Sequence, residues 1–171
     1  LKAAIYHTSV KNGSPYKGIA NWIWDSSVSA QPYSKVWFGR EIEILKKVKS
    51  ATLLASADDT GTAFFDGRQL GSISGWKVFK KFDITQQMTE GKHLISISAA
   101  DGLSLPCGLL AELTIVYDDG QNEIIVSDEK WRVTAKESST WMNPDTVKEW
   151  TPAAKLAPYG CGRWGARVII P

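Results

Sequence analysis

Apolar and polar residues alternate with a period of two along most of this chain, the spacing of strands with one buried face. In KVWFGREIEI, over residues Lys35–Ile44, Ile42 and Ile44 fall on one side and Glu41 and Glu43 on the other. In residues 93–99 His93, Ile95 and Ile97 share one face against Ser96 and Ser98. In residues 109–117 Leu109, Ala111, Leu113, Ile115 and Tyr117 do the same. The pattern predicts further strands over 2–6, 21–24, 51–57, 63–65, 68–70, 82–85, 123–126, 131–133 and 166–170.

Turn chemistry separates these runs. Asp66-Gly67 is a two-residue hairpin turn, and Asp118-Asp119-Gly120 reverses the chain before residues 123–126. Thr85 is expected to cap a single helical turn closed by Gly91, and the polar stretch 137–156 to wrap the surface as a loop. Short strands, frequent turns and no long helical period indicate an all-β sandwich, without internal repeats.

Composition narrows the function classes. The 171 residues suffice for one cored domain over 1–171. Lys and Arg number 20 against 18 Asp and Glu, a formal charge of +2, which gives no reason to expect nucleic acid or an acidic membrane surface as partner. No apolar run approaches the roughly 20 residues of a membrane helix. The opening Leu-Lys-Ala-Ala has neither an initiator Met nor a signal-peptide pattern, and reads as a mature or excised form. Cys107 and Cys161 sit in glycine-flanked loops. A disulfide between them would fit an oxidising compartment, and two unpaired small side chains are the equal alternative. With His7 and His93 they make no zinc spacing.

The chemistry concentrates in residues 55–85. Asp58 and Asp59 stand where one strand runs out, before Thr60-Gly61, and a second tip over residues 72–77 presents Trp76. Carboxylates beside an indole suit a polar, hydroxyl-rich ligand: the indole stacks on the less polar face of a sugar while charged groups take its hydroxyls. Calcium accepts carboxylates, carbonyls, water and sugar hydroxyls alike, so it can bridge a loop to a diol. Neighbouring residues of a regular strand point to opposite faces, so Asp58 and Asp59 can share an ion only if the strand breaks there. The bland alternatives are a turn-bonded and a solvated Asp, and a Trp76 that closes the end of the sandwich. Lys77, Arg68 and Arg163 are potential donors to hydroxyls, though a solvated cation is the plainer reading of each. Trp22, Trp37, Trp131, Trp150 and Trp164 read as core, and His93 as a surface residue at a strand start. An enzyme is not indicated: GxSxG, HExxH and phosphate loops are missing, Glu41 and Glu43 read as a solvated face, and adjacent carboxylates do not offer the opposed placement of a glycosidase.

Taken in order, WIW, VWFGREIEI, SADDTGTAFFDGRQLG, GW, FDIT, EGKHLISISA, GLLAELTIVYDDG, IIVSDEKWRV and the closing LAPYG and WG resemble the galactose-binding-like jelly-roll modules of α-L-rhamnosidases and related glycoside hydrolases. The resemblance spans residues 21–165. It implies a non-catalytic, secreted or extracellular carbohydrate-binding module. Some such modules bind L-rhamnose through calcium; the matching positions here are Asp58 and Asp59, then Asp101, then the carbonyl of Pro106. The expected sugar site is thus Asp58, Asp59, Trp76, Lys77 and Asp101, with calcium on Asp58, Asp59, Asp101 and Pro106 and a rhamnose- or galactose-like sugar as partner. An Asp-Asp pair with a later Asp makes this site more anionic than the family pattern and leaves the sugar open. Two alternatives stand beside it: a calcium-dependent adhesion or matrix protein resembling the protective-antigen-type sandwiches, and a structural accessory domain without a ligand.

Overall fold

The computed structural model describes residues 13–102 and 106–171. The strand expected over residues 2–6, His7 and part of the loop after Asp101 lie outside them. Fourteen strands follow in chain order: β1 (Ser14–Pro15), β2 (Asn21–Trp24), β3 (Lys35–Ile44), β4 (Val48–Asp58), β5 (Thr60–Phe65), β6 (Arg68–Ser74), β7 (Lys80–Asp83), β8 (Gly91–Ala100), β9 (Gly108–Tyr117), β10 (Asn122–Val126), β11 (Arg132–Thr134), β12 (Thr151–Pro152), β13 (Ala154–Pro158) and β14 (Ile169–Ile170). One short helix, α1 (Pro144–Lys148), lies between β11 and β12.

Two antiparallel six-stranded sheets face each other in a jelly-roll sandwich. The first runs β13-β2-β9-β4-β7, with β10 also paired to β9, and the second runs β12-β11-β3-β8-β5-β6. Their inner faces follow the alternation in the sequence: Val36, Phe38, Ile42 and Ile44 from β3 meet Leu53, Ala55 and Ala57 from β4, with Ile95, Ile97, Leu109, Ala111 and Leu113 between. Each fully buried Leu, Ile or Phe contributes roughly 1.5–3 kcal/mol by leaving water.

The outer faces are covered as well, and tryptophans take part on both sides. Outside the first sheet, Trp22, Leu54 and Leu110 pack under Tyr16, Phe79, Trp164 and Val168. Trp22 and Trp164 stack with centroids 4.4 Å apart. Outside the second sheet, Val147 of α1 lies over Gly39, where a Cβ would meet Val147 Cγ1 at 2.6 Å, and Trp141 meets Phe64 edge-on at 5.2 Å.

Several expectations hold in detail. The Asp66-Gly67 hairpin forms, with φ of 46° and 76° and Phe65 opposite Arg68. Trp22, Trp37, Trp131 and Trp164 are buried. Others need correction. The stretch 137–156 is not a plain loop: Asn143 caps α1 by accepting from the Asp145 N–H at 2.9 Å, with Pro144 opening the helix and Lys148 in its last turn. Two strands follow it, and Trp150 is only half-buried. Thr85 is not a cap either. It starts a 3-10 turn, Thr85–Gln87, without a side-chain cap, and its Oγ1 accepts from the Ala51 N–H at 3.0 Å; Gly91 begins β8. The closing strand shrinks to Ile169–Ile170, paired with Ser14–Pro15.

His93 is buried rather than superficial, because it shares the inward parity of Ile95 and Ile97. Its Nδ1 lies 2.6 Å from Asp66 Oδ2 and its Nε2 2.7 Å from the Thr89 carbonyl. Cys107 and Cys161 are not bridged. Cys107 sits inside, donating to the Ser29 carbonyl at 3.4 Å, its thiol pushed up to about 11 by burial and the nearby carboxylates of Asp101 and Asp58, while Cys161 is exposed.

Candidate functional site

The jelly-roll connectivity builds the site. At Asp59 the chain leaves the first sheet for the second: Asp58, the last residue of β4, pairs with Gly108, and Thr60, the first of β5, pairs with Ala100. Residues 101–102 leave the end of β8 and residues 106–107 lead into the start of β9, the reverse passage. The two crossings therefore lie side by side at one end of the sandwich. This is the strand break that two adjacent aspartates need in order to act together. It falls at Asp59 itself and not at Thr60-Gly61, which already belong to β5. The Asp58–Asp59 peptide bond is cis.

Hydrogen bonds fasten the two crossings. The Asp59 N–H donates to the Ala100 carbonyl at 3.1 Å, and the Gly102 N–H donates to Asp59 Oδ2 at 2.9 Å. A Cβ at residue 102 would stand 2.6 Å from that same oxygen, so any larger side chain there has to displace the carboxylate or the loop. Asp101 is held by Tyr33, whose N–H donates to Asp101 Oδ2 at 3.2 Å. Its Oδ1 is buried with no hydrogen-bond partner among the described residues. A carboxylate oxygen shut from water without a donor is a costly arrangement that a cation would relieve.

Asp58 is buried, and its Oδ2 accepts from Trp164 Nε1 at 3.0 Å. Burial, then the hydrogen bond that its protonated form donates to the Asp59 carboxylate, push its carboxyl up to about 7; the Trp164 indole works against this, and the negative charges of Asp59 and Asp101 add to it. Asp101 is likewise raised, by burial first and the charge of Asp59 after it, against the Tyr33 N–H. Three carboxyl groups thus repel one another at one end of the fold. Among the described residues no three His, Cys, Asp or Glu side chains form a ready-made metal cluster, so a cation at this end would need carbonyls, water or ligand hydroxyls as well.

The second tip reaches the same end. The Gly75 N–H donates to the Asp59 carbonyl at 2.7 Å, and Ser56 Oγ donates to the Trp76 carbonyl at 2.8 Å. Trp76 is half-buried against the outer cluster of the first sheet. Lys77 is exposed and carries its Nζ 5.6 Å from the centroid of the Trp76 ring, so it is placed to cover the indole. Pro106 lies half-buried two residues before Gly108, the partner of Asp58. A depression of ≈ 440 Å³ begins next to Asp59 and runs along the second sheet, lined by Lys35 and the hydroxyls of Thr60, Thr62, Ser72, Ser74 and Ser98.

Sequence reasoning missed Trp164 as a neighbour of this site. The residue was legible as a core tryptophan, but its indole N–H needs a partner when buried, and a buried aspartate is such a partner.

The architecture is that of the galactose-binding-like jelly-roll fold. No protein-family model matches the chain. It is 27% identical over 157 residues to an α-L-rhamnosidase of Streptomyces avermitilis, covering 85% of this chain and 15% of that protein. The structure of the S. avermitilis α-L-rhamnosidase complexed with L-rhamnose superposes with a TM-score of 0.81 at 24% identity, over 90% of this chain and 16% of the other. The lectin of Pleurotus ostreatus in complex with GalNAc gives 0.78 at 28% identity, over 88% and 45%. The chain therefore spans about one-sixth of the rhamnosidase and under half of the lectin, and it resembles the jelly-roll modules of both.

Proposed function

We propose that this chain is a non-catalytic carbohydrate-binding module that recognises a rhamnose- or galactose-like sugar through calcium at the Asp58–Asp59 end of the sandwich. Residues 1–171 act as one module, outside the cell, alone or as an accessory to a larger glycoside hydrolase. The observation that carries this reading is the Gly102–Asp59 hydrogen bond, which joins the two acidic crossings beside an Asp101 oxygen that lacks a donor among the described residues. Asp58, Asp59 and Asp101 would hold the ion with the Pro106 carbonyl. Calcium would offer its remaining coordination positions to vicinal hydroxyls of the sugar. Trp76 and Lys77 flank this end and supply an apolar edge and a cation. The rhamnose and GalNAc complexes of the two similar proteins support a sugar as the ligand class.

A glycan array probed with and without calcium tests the reading. Binding to deoxy- or galactose-type sugars that disappears with chelator is the expected result. Calorimetry that finds neither calcium nor sugar affinity would favour the purely structural alternative. Calcium affinity without sugar affinity would favour the adhesion alternative.

A further inference from the structure

A second charged depression lies away from the carboxylates. Arg40, Glu41, Lys130, Arg132, Val147 and Lys148 line a hollow of ≈ 280 Å³. Three separate parts of the fold supply the cations. Arg40 follows Gly39 on β3, Gly39 pairs with Arg132 at the start of β11, and Lys148 closes α1. Lys35 of β3 pairs with Ala100, next to Asp101. Arg40, five residues further along, stands about 17 Å away at the rise of an antiparallel strand.

The charges in this hollow are unbalanced. Among the described residues Arg40, Lys130 and Arg132 form no ion pair, and Lys148 reaches Glu41 only at 3.8 Å while pairing with Asp145 at 3.1 Å. Arg132 spends one Nη1 donor on the Trp150 carbonyl at 3.2 Å. Among the described residues the Nε of Arg40 is sealed from water and has no hydrogen-bond partner. A guanidinium fork beside further cations matches the planar oxygens of a carboxylate or a sulfate, and Lys130 and Lys148 add point charges that hold such a group without fixing its orientation. Val147 is the one apolar wall, so a neutral sugar finds little here.

We infer that this hollow binds the oxyanion of an acidic saccharide, a uronate carboxylate or a sulfate ester, at a point separate from the calcium end. The inference rests on reading the chain as a carbohydrate-binding module, and extends it from neutral to acidic glycans.

The test is an amide-shift titration of the ¹⁵N-labelled 171-residue chain in buffer stripped of calcium on a chelating resin, so that neither calcium nor a soluble carboxylate chelator plays a part. The probes are sodium sulfate, glucuronate, galactose 6-sulfate and, as control, galactose. Saturable shifts at residues 39–41, 132 and 147–148 are expected with the charged probes and not with galactose, and Arg40→Met should weaken them about tenfold. Shifts with either saccharide alone identify which oxyanion is preferred and support the site. Binding of inorganic sulfate only overturns the saccharide assignment. Non-saturating shifts scattered over surface lysines, or affinity indifferent to Arg40→Met, overturn the site. Should Arg40→Met not fold, Arg132→Gln, at a half-exposed position, takes its place with the same expected loss. Acidic saccharides bound here with no calcium-dependent sugar binding would leave this hollow standing and remove the calcium reading; the reverse result would remove the hollow alone.

Discussion

Trp164 donates its indole N–H to Asp58 Oδ2 at 3.0 Å, across 106 residues of sequence. The same indole stacks on Trp22, so the C-terminal segment that covers the first sheet also holds one carboxylate of the acidic end. Packing and candidate chemistry are joined at this contact.

Replacing Trp164 with Phe keeps an aromatic ring over Trp22 but removes the donor. The Asp58 oxygen is then buried with one partner fewer, which costs about 1–3 kcal/mol. Urea unfolding in chelator should show this loss, and the Asp58 carboxyl should titrate higher than in the parent, because the indole pulls it down. An unchanged titration would mean that the hydrogen bond does not govern this carboxyl.

Asp58 also sets a pH dependence. Its carboxyl moves from 3.8 to about 7 on folding, so between these values the native state keeps a proton that the unfolded state has released. Stability therefore falls as pH rises through this window and levels off above it. Asp58→Asn, which cannot ionise, should flatten the slope in a series of thermal melts and leave only the part that the raised Asp101 carboxyl contributes. A calcium ion held as proposed would compete with the same proton, so apparent calcium affinity should then climb by up to about tenfold per pH unit below 7 and level off above.

Gly102→Ala tests the joint between the crossings. A Cβ would stand 2.6 Å from Asp59 Oδ2, so either the Asp59 carboxylate or the loop has to move. Circular dichroism should remain that of a β-sandwich, since the change lies outside both sheets. Calcium affinity should fall by about tenfold or more, consistent with the loss of one charge-assisted hydrogen bond. Wild-type affinity in this variant would argue against Asp59 as a ligand.

The sandwich was legible because its signals are local: Ile42 and Ile44 against Glu41 and Glu43 need only a period of two. The acidic end was half legible. Asp58-Asp59 and Trp76 stand out as strand-end residues, and the place of Asp101 beside them came only through the family resemblance. What placed the two crossings together is topology, which alternation does not encode. His93 misled because a strand start reads as surface, while its parity with Ile95 and the waiting acceptors on Asp66 and Thr89 bury it. Helix α1 was written in Asn143, Pro144, Asp145 and Lys148, but five residues are too few to show a helical period. Arg40 gave no signal, because the cations that gather around it come from distant parts of the chain.

That helix provides the last prediction. Val147 is buried over Gly39, where a Cβ would meet its Cγ1 at 2.6 Å and its Cγ2 at 2.9 Å. Gly39→Ala must therefore lift α1 from the sheet or displace β3, and β3 is fixed by the full length of its pairing with β8. The helix is the weaker partner: it has five residues, a cap worth about 1 kcal/mol and one buried side chain. Gly39→Ala should cost about 1–3 kcal/mol, as overpacking does, and should make residues 137–150 susceptible to limited proteolysis while the sheets stay protected. Asn143→Ala alone should produce a smaller version of the same cleavage pattern. The double variant should lose less than the sum of the two, because once α1 has lifted its cap has little left to stabilise. Additive losses would show that Gly39 acts on the sheet and not through the helix.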